Sequence, residues 1–123
     1  MPEYLSPAWI AEADALLRAS EILSTQSKGI WLVLEQRVSD GDTETVWQIR
    51  FADGVVSMSA GSADAADVVF VSDVATAEGI RTGSLSAQAA FIAGDLRVEG
   101  SINALLEHDE LFASLEDVLG PLR

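Results

Sequence analysis

The sequence predicts an α+β fold in which a five-stranded, mostly antiparallel sheet is packed by helices on one face. In several short segments hydrophobic residues alternate with polar ones, which is typical of half-buried strands. The predicted order of elements is one helix, four strands, two helices, one strand and two helices. Strands joined by tight turns and followed by separate helices favour an antiparallel sheet over alternating β-α-β units.

The first helix is predicted to begin at Ser6-Pro7. A serine hydroxyl can accept a hydrogen bond from the first free N–H groups of a helix, and proline suits the first helical position because it has no N–H. The residues that follow place an apolar stripe on one helical face. The stripe consists of Trp9, Ile10, Ala13, Leu16 and Leu17.

Four strands are predicted next. The first begins after Gly29, and one of its faces carries Ile30, Leu32, Leu34 and Val38. A turn at 39–42 leads to a second strand at 43–52, and Asp53-Gly54 is a strong hairpin signal that should return the chain antiparallel over 55–60. After a small polar loop, the run 67–72 forms the fourth strand.

Helices dominate the rest of the sequence. Ser72 or Asp73 can cap a helix at 74–82, and a second helix, from Ser86 to Gly94, precedes a short strand at 96–99. The C-terminal region is helical again, with an apolar stripe over a strongly acidic opposite face. That stripe consists of Leu111, Phe112, Leu115, Val118 and Leu119.

The helix at 86–94 is unusual because its apolar face carries almost no bulk. Ala87, Ala90, Phe91 and Gly94 share this face, and Phe91 is its one large side chain. Such a helix either packs very close to a sheet or leaves room beside it. Room inside a small domain could hold an apolar ligand.

Composition and charge exclude several classes of function. The chain of 123 residues has 20 acidic and 7 basic residues and a net charge of −13, which disfavours binding to nucleic acid and attraction to an anionic membrane. With no cysteine there are no disulfides and no thiolate chemistry. No signal peptide and no apolar stretch of the ~20 residues of a membrane span is visible, so we expect a cytoplasmic protein without stable membrane insertion.

Residues 83–100 resemble the sterol carrier protein-2 (SCP2-like) family of lipid-binding domains. The matching pattern is Gly83, Leu85, Gln88, Ala90-Phe91, Gly94, Leu96, Val98 and Gly100. In coarser form the resemblance spans one domain, 1–123. It implies a five-stranded sheet with an apolar tunnel between sheet and helices, which the C-terminal helices help to close. Ala87 departs from the family pattern, in which proline often precedes the glutamine, and the acidic charge departs from the typically basic eukaryotic carriers.

The resemblance suggests which residues line such a tunnel, although ordinary core packing explains each of them equally well. The candidate lining residues are Phe91, Leu85, Ile80, Trp47, Ile49, Phe70, Phe112, Leu115 and Leu119. Gln88 could reach a ligand head group, or it could bond to backbone or water. The C-terminal stripe could be fixed core, a lid, or a face for self-association.

No residue pattern predicts catalysis, a metal site or a cofactor. His108 is the only histidine, and no serine has the sequence context of an activated nucleophile. Asp40, Asp42 and Glu44 alternate as calcium ligands can, but the rest of a calcium loop is missing and a turn explains them better.

The sequence therefore favours a soluble, non-enzymatic carrier of a lipid, sterol or fatty-acyl-type ligand. Two alternatives stay open. An SCP2-like domain with a filled core could serve as an interaction module, through a homodimer or another protein partner. It could also present an apolar substrate to a separate enzyme.

Overall fold

The computed structural model describes residues 6–82 and 84–119, which form six helices and five strands. The helices are α1 (Pro7–Ala19), α2 (Glu21–Gln26), α3 (Val74–Thr82), α4 (Ala87–Ala93), α5 (Ile102–Glu107) and α6 (Asp109–Val118). The strands are β1 (Trp31–Asp40), β2 (Thr43–Ala52), β3 (Val55–Ala60), β4 (Val68–Asp73) and β5 (Arg97–Gly100). The α+β fold and the five-stranded sheet are confirmed.

The sheet is mixed, with the strand order β3-β2-β1-β4-β5. β1 pairs antiparallel with β2 and parallel with β4, while the two outer pairings, β2 with β3 and β4 with β5, are antiparallel. The β2–β3 hairpin turns at Asp53-Gly54, where both residues have positive φ angles of 45° and 92°. This is the backbone geometry that matches the twist of a tight hairpin.

The segment before the sheet contains two helices where the sequence pattern indicated one. Ser20 has an extended backbone (φ −77°, ψ 117°) and ends α1, and its hydroxyl accepts a hydrogen bond from the N–H of Leu23 at the start of α2. The predicted start of α1 is confirmed, since the Ser6 hydroxyl accepts from the N–H of Trp9 at 3.2 Å. Ser6 therefore caps the start of α1, and Ser20 caps the start of α2.

The hydrophobic core lies between the helices and one face of the sheet. Leu34, Ile49 and Phe51 on the central strands are at most 1% exposed, and Leu17 from α1 and Leu111 from α6 are buried against the same cluster. The rings of Trp9 and Trp47 meet edge to face with centroids 6.4 Å apart. α6 thus contributes to the fixed core through Leu111.

The opposite face of the sheet is covered in part by the loop between β3 and β4. This loop must cross over β2 and β1, because β3 and β4 lie on either side of that pair. The buried carboxylate of Glu35 accepts a hydrogen bond from the N–H of Ala63 at 2.9 Å and pairs with Arg37 at 2.6 Å. Gln48 donates to the carbonyl of Ser62. Polar side chains therefore fix the crossing loop.

Within the described residues, no helix combines the length and the hydrophobicity that crossing a membrane requires.

Candidate functional site

A cavity of about 630 Å³ lies between the sheet and the helices. Its floor is formed by side chains that alternate along the sheet and so point to the helix-covered face. In the strand register Leu34 is opposite Ile49, and Ile49 is opposite Met58, so three adjacent strands present apolar groups side by side. The floor residues are Leu34, Gln36, Val38, Trp47, Ile49, Met58, Phe70, Ser72 and Val98.

Helices from both halves of the chain form the rest of the wall. α3 presents Ala77, Ile80 and Arg81, whose i, i+3, i+4 spacing places them on one helical face. A hydrogen bond of 2.8 Å from the N–H of Thr76 to the Asp73 carboxylate fixes the start of α3 directly after β4. Further lining residues on helical segments are Trp9, Phe91, Ile102, Leu106, Asp109, Phe112, Ala113, Leu115 and Leu119.

Part of this wall is open to solvent. Phe91 on α4 is 46% exposed, and Ile102 and Leu106 on α5 are 49% and 72% exposed although all three line the cavity. Leu115, deeper in the wall, is only 5% exposed. The cavity therefore meets solvent along α4 and α5, at an apolar rim formed by Phe91, Ile102 and Leu106.

The sequence of α4, with its small residues, predicted either close packing or open space beside the helix, and the structure contains both. Ala90 is completely buried, and its carbonyl accepts hydrogen bonds from the N–H groups of Asp95 and Leu96, which turn the chain toward β5. Gly94 ends the helix with a φ of 86°. Phe91, the next residue after Ala90, lies on the cavity wall. Close packing at one residue and open space at the next occur on the same helix.

Eight of the ten residues that the sequence suggested for a ligand site line this cavity. They are Phe91, Ile80, Trp47, Ile49, Phe70, Phe112, Leu115 and Leu119. Leu85 lies elsewhere: its N–H donates to the carbonyl of Gly79 at 3.0 Å, and its side chain packs on the face of Gly79 that lacks a Cβ. The side chain of Gln88 falls outside the described part of the structure.

Polar residues on the cavity wall were missed by the sequence analysis. They are Gln36, Arg37, Ser72, Arg81 and Asp109. Arg37 borders the cavity, but its side chain points to the opposite face of the sheet, where its Nε lies 2.6 Å from Glu35 Oε2, and this hydrogen bond raises the pKa of Arg37. Arg81 Nη2 lies 3.0 Å from Glu78 Oε1. Gln36 has a sequence signal that could have found it, because it interrupts the apolar alternation between Leu34 and Val38 on β1.

Among the side chains that the structure describes, no group of three or more histidines, aspartates or glutamates is placed so that it could hold a metal. His108 lies at the junction of α5 and α6, where its N–H donates to the carbonyl of Ala104.

Residues 13–113 match the model of the SCP-2 sterol transfer family. The chain belongs to this family. The match covers all five strands and at least part of every helix, and members of this family bind or transfer lipids. The resemblance that residues 83–100 suggested is therefore confirmed.

Solved structures agree with this assignment at the level of the fold. A crystal structure of sterol carrier protein 2 is 22% identical with a TM-score of 0.79, over 96% of this chain and 98% of the other. A conserved hypothetical protein of Thermus thermophilus, described as possibly a sterol carrier protein, is 22% identical with a TM-score of 0.79, over 97% of this chain and 89% of the other. A palmitated SCP2-like protein of Aedes aegypti is 14% identical with a TM-score of 0.65, over 85% of this chain and 89% of the other.

A search of curated proteins found no match.

Proposed function

We propose that residues 1–123 work as one non-enzymatic SCP2-like domain that binds and carries a lipid, sterol or fatty-acyl-type ligand in the cavity. The observation that carries this proposal is the cavity of about 630 Å³ with a predominantly apolar wall, in a chain of the SCP-2 sterol transfer family. Cavities of about 300–1,000 Å³ are usual for small-molecule sites. The palmitated relative from Aedes aegypti supports an acyl chain as one candidate ligand.

The driving force would be transfer of alkyl groups from water into the cavity. Burying about eight methylenes at ~0.8 kcal/mol each gives ~6 kcal/mol before the ordering costs of binding. A binding free energy of ~6 kcal/mol corresponds to a Kd of roughly 40 μM, and the ordering costs weaken it further, so the affinity suits exchange better than storage. The cytoplasm stays the compartment predicted from the sequence.

The apolar rim supports α4 and α5 as the entrance. Phe91, Ile102 and Leu106 are exposed apolar groups at the point where the cavity opens, so a ligand could leave water gradually as it enters. α6 is less suited to act as a lid, because Leu111 and Leu115 are 2% and 5% exposed and belong to the core.

Filling the cavity from α3 tests the proposal. Ala77 lines the cavity, whereas Ala75, on the same helix, is exposed and does not line it. We expect Ala77→Leu to weaken displacement of a fluorescent fatty acid at least 10-fold, because the new side chain occupies space that the alkyl chain needs. Ala75→Leu is the matched control and should bind like the wild type.

Stability separates a cavity from a packed core in the same pair of variants. We expect Ala77→Leu to change the free energy of unfolding by less than about 1 kcal/mol, since overpacking a solid core costs about 1–3 kcal/mol. Strong destabilisation, together with an empty, stably dimeric wild type in native mass spectrometry, would support an interaction module instead.

A further inference from the structure

Gln36 is a polar side chain in the middle of the apolar cavity floor. The register of β1 places it opposite Trp47 on β2 and opposite Phe70 on β4, and all three residues line the cavity. Its neighbours along the same face of β1 are Leu34 and Val38, both at most 4% exposed. Gln36 itself is half-buried. Burying an amide among apolar side chains costs folding free energy unless the amide has a hydrogen-bond partner.

Among the backbone and side-chain groups that the structure describes, which do not include the side chains of Gln88 and Glu116, none forms a hydrogen bond with the Gln36 side chain. The other amide on the central strands, Gln48, lies on the opposite face of the sheet and donates to the carbonyl of Ser62 and accepts from Arg50. The difference between these two glutamines is that Gln36 faces the cavity. Its natural partner is therefore whatever occupies the cavity, whether water or a ligand.

The charges near the cavity disfavour an anionic head group. Arg81, the arginine on the helical wall, is already paired with Glu78 at 3.0 Å. The side chain of Arg37 lies on the opposite face of the sheet, where it pairs with Glu35 at 2.6 Å. Asp109 adds a further carboxylate to the wall, and the whole chain has a net charge of −13. A ligand carboxylate would have to lose its hydration and enter this negative field.

From these observations we infer that Gln36 selects ligands with an uncharged hydroxyl head group. An amide both donates and accepts hydrogen bonds, and so does a hydroxyl, whereas an ionised carboxylate only accepts. A hydroxyl-bearing apolar lipid, such as a long-chain alcohol or a sterol, matches the floor in both charge and hydrogen bonding. This inference rests on the proposed function and names the ligand class for the same cavity.

Three ligands of equal chain length test the inference: 1-dodecanol, dodecanoate and dodecane, each competing with a fluorescent probe at pH 7. We expect the wild type to bind dodecanol at least 10-fold more tightly than dodecanoate. Gln36→Met keeps the length of the side chain but removes the amide, so it should lower the affinity for dodecanol about 10-fold and leave dodecane unchanged. Gln26→Met makes the same chemical change at the end of α2, away from the cavity. It should leave the affinities for dodecanol and for dodecane unchanged.

The outcomes separate this inference from the proposed function. Tighter binding of dodecanoate, or equal effects of Gln36→Met on dodecanol and dodecane, would overturn the head-group inference while the carrier function stands. No effect of Gln36→Met on any ligand would overturn it in the same way. Failure of all three ligands to bind would overturn both. Because dodecane reports on the shape of the cavity alone, a merely structural role for Gln36 would show as a change in its binding.

Discussion

At the scale of single residues, two glycines with similar backbone angles have very different surroundings. Gly61 and Gly100 have φ angles of 99° and 90°, which residues with a Cβ rarely adopt. A Cβ at Gly61 would meet nothing within 4 Å. A Cβ at Gly100 would collide with the carbonyl oxygen of Asp67, which already accepts a hydrogen bond from Ser101. Gly100 is thus required for close approach as well as for its φ angle.

Gly100→Ala should therefore cost more than Gly61→Ala. Both changes strain the backbone by about 1–2 kcal/mol, but only Gly100→Ala also forces β5 away from β4. We expect a further loss of about 2 kcal/mol in the free energy of unfolding, measured by urea denaturation. Equal losses for the two variants would show that the contact with Asp67 relaxes without cost.

The polar residue Gln36 shows what sequence patterns leave undecided at this scale. Its position predicts an inward-facing side chain, because Leu34 and Val38, two residues before and after it, share its face of β1. Whether such a glutamine is satisfied by a neighbour or faces an open space depends on side chains from β2 and β4. The pairing with β4 joins strands that are far apart in sequence, so no local pattern specifies it.

At the scale of elements, local signals predicted most of the fold. The caps at Ser6 and Asp73, the hairpin at Asp53-Gly54 and the end of α4 at Gly94 each depend on one or two residues, and all are confirmed. The break at Ser20 was missed because hydrophobic residues continue through it. The parallel pairing of β1 with β4 joins Leu34 to Val68, far apart in sequence, so only tertiary packing specifies it.

The cap of α3 predicts a pH-dependent contribution to stability. Its hydrogen bond with Thr76 lowers the pKa of Asp73, so the carboxylate form is favoured by folding. A lowered pKa contributes stability that is present above the ordinary value of about 4 and is lost as the pH falls through the folded-state pKa. We expect Asp73→Ala to cost about 1 kcal/mol at pH 7.

This cost should shrink as the pH falls below about 4, in urea unfolding curves of wild type and variant recorded at each pH. Asp42→Ala is a suitable control, since Asp42 is an exposed carboxylate in the β1–β2 turn. A cost of Asp73→Ala that stays constant down to about pH 2 would show that the side chain stabilises α3 in its protonated form as well.

At the scale of the whole molecule, the central feature is a cavity next to a well-packed core. Trp47 and Ile49 are at most 2% exposed and line the cavity, while Phe51 on the same strand packs against Phe112 with ring centroids 6.0 Å apart. Cavity walls and solid cores use the same residue types, so the sequence could suggest these residues but could not separate the two roles. The three-dimensional arrangement of α3, α4 and α5 creates the difference.

A ligand that binds this cavity should stabilise the whole fold. The walls come from both ends of the chain, including Trp9 on α1 and Leu115 on α6, so unfolding must destroy the site and release the ligand. At a free ligand concentration about 100 times Kd, the expected gain is about 2.7 kcal/mol, which raises Tm by several degrees. Tm can be measured by tryptophan fluorescence in the Trp31→Phe variant, because Trp31 is 73% exposed and does not line the cavity. Removing it leaves the fluorescence of Trp9 and Trp47, which both line the cavity.

The dependence of Tm on ligand concentration tests where the ligand binds. We expect Tm to rise with the logarithm of dodecanol concentration once the site is saturated, and the curve for Ala77→Leu to be displaced to at least 10-fold higher concentration. If Tm did not move under conditions where displacement of the probe is complete, the ligand would be binding the unfolded and folded chains equally. Such a ligand could not occupy a cavity that exists only in the folded state.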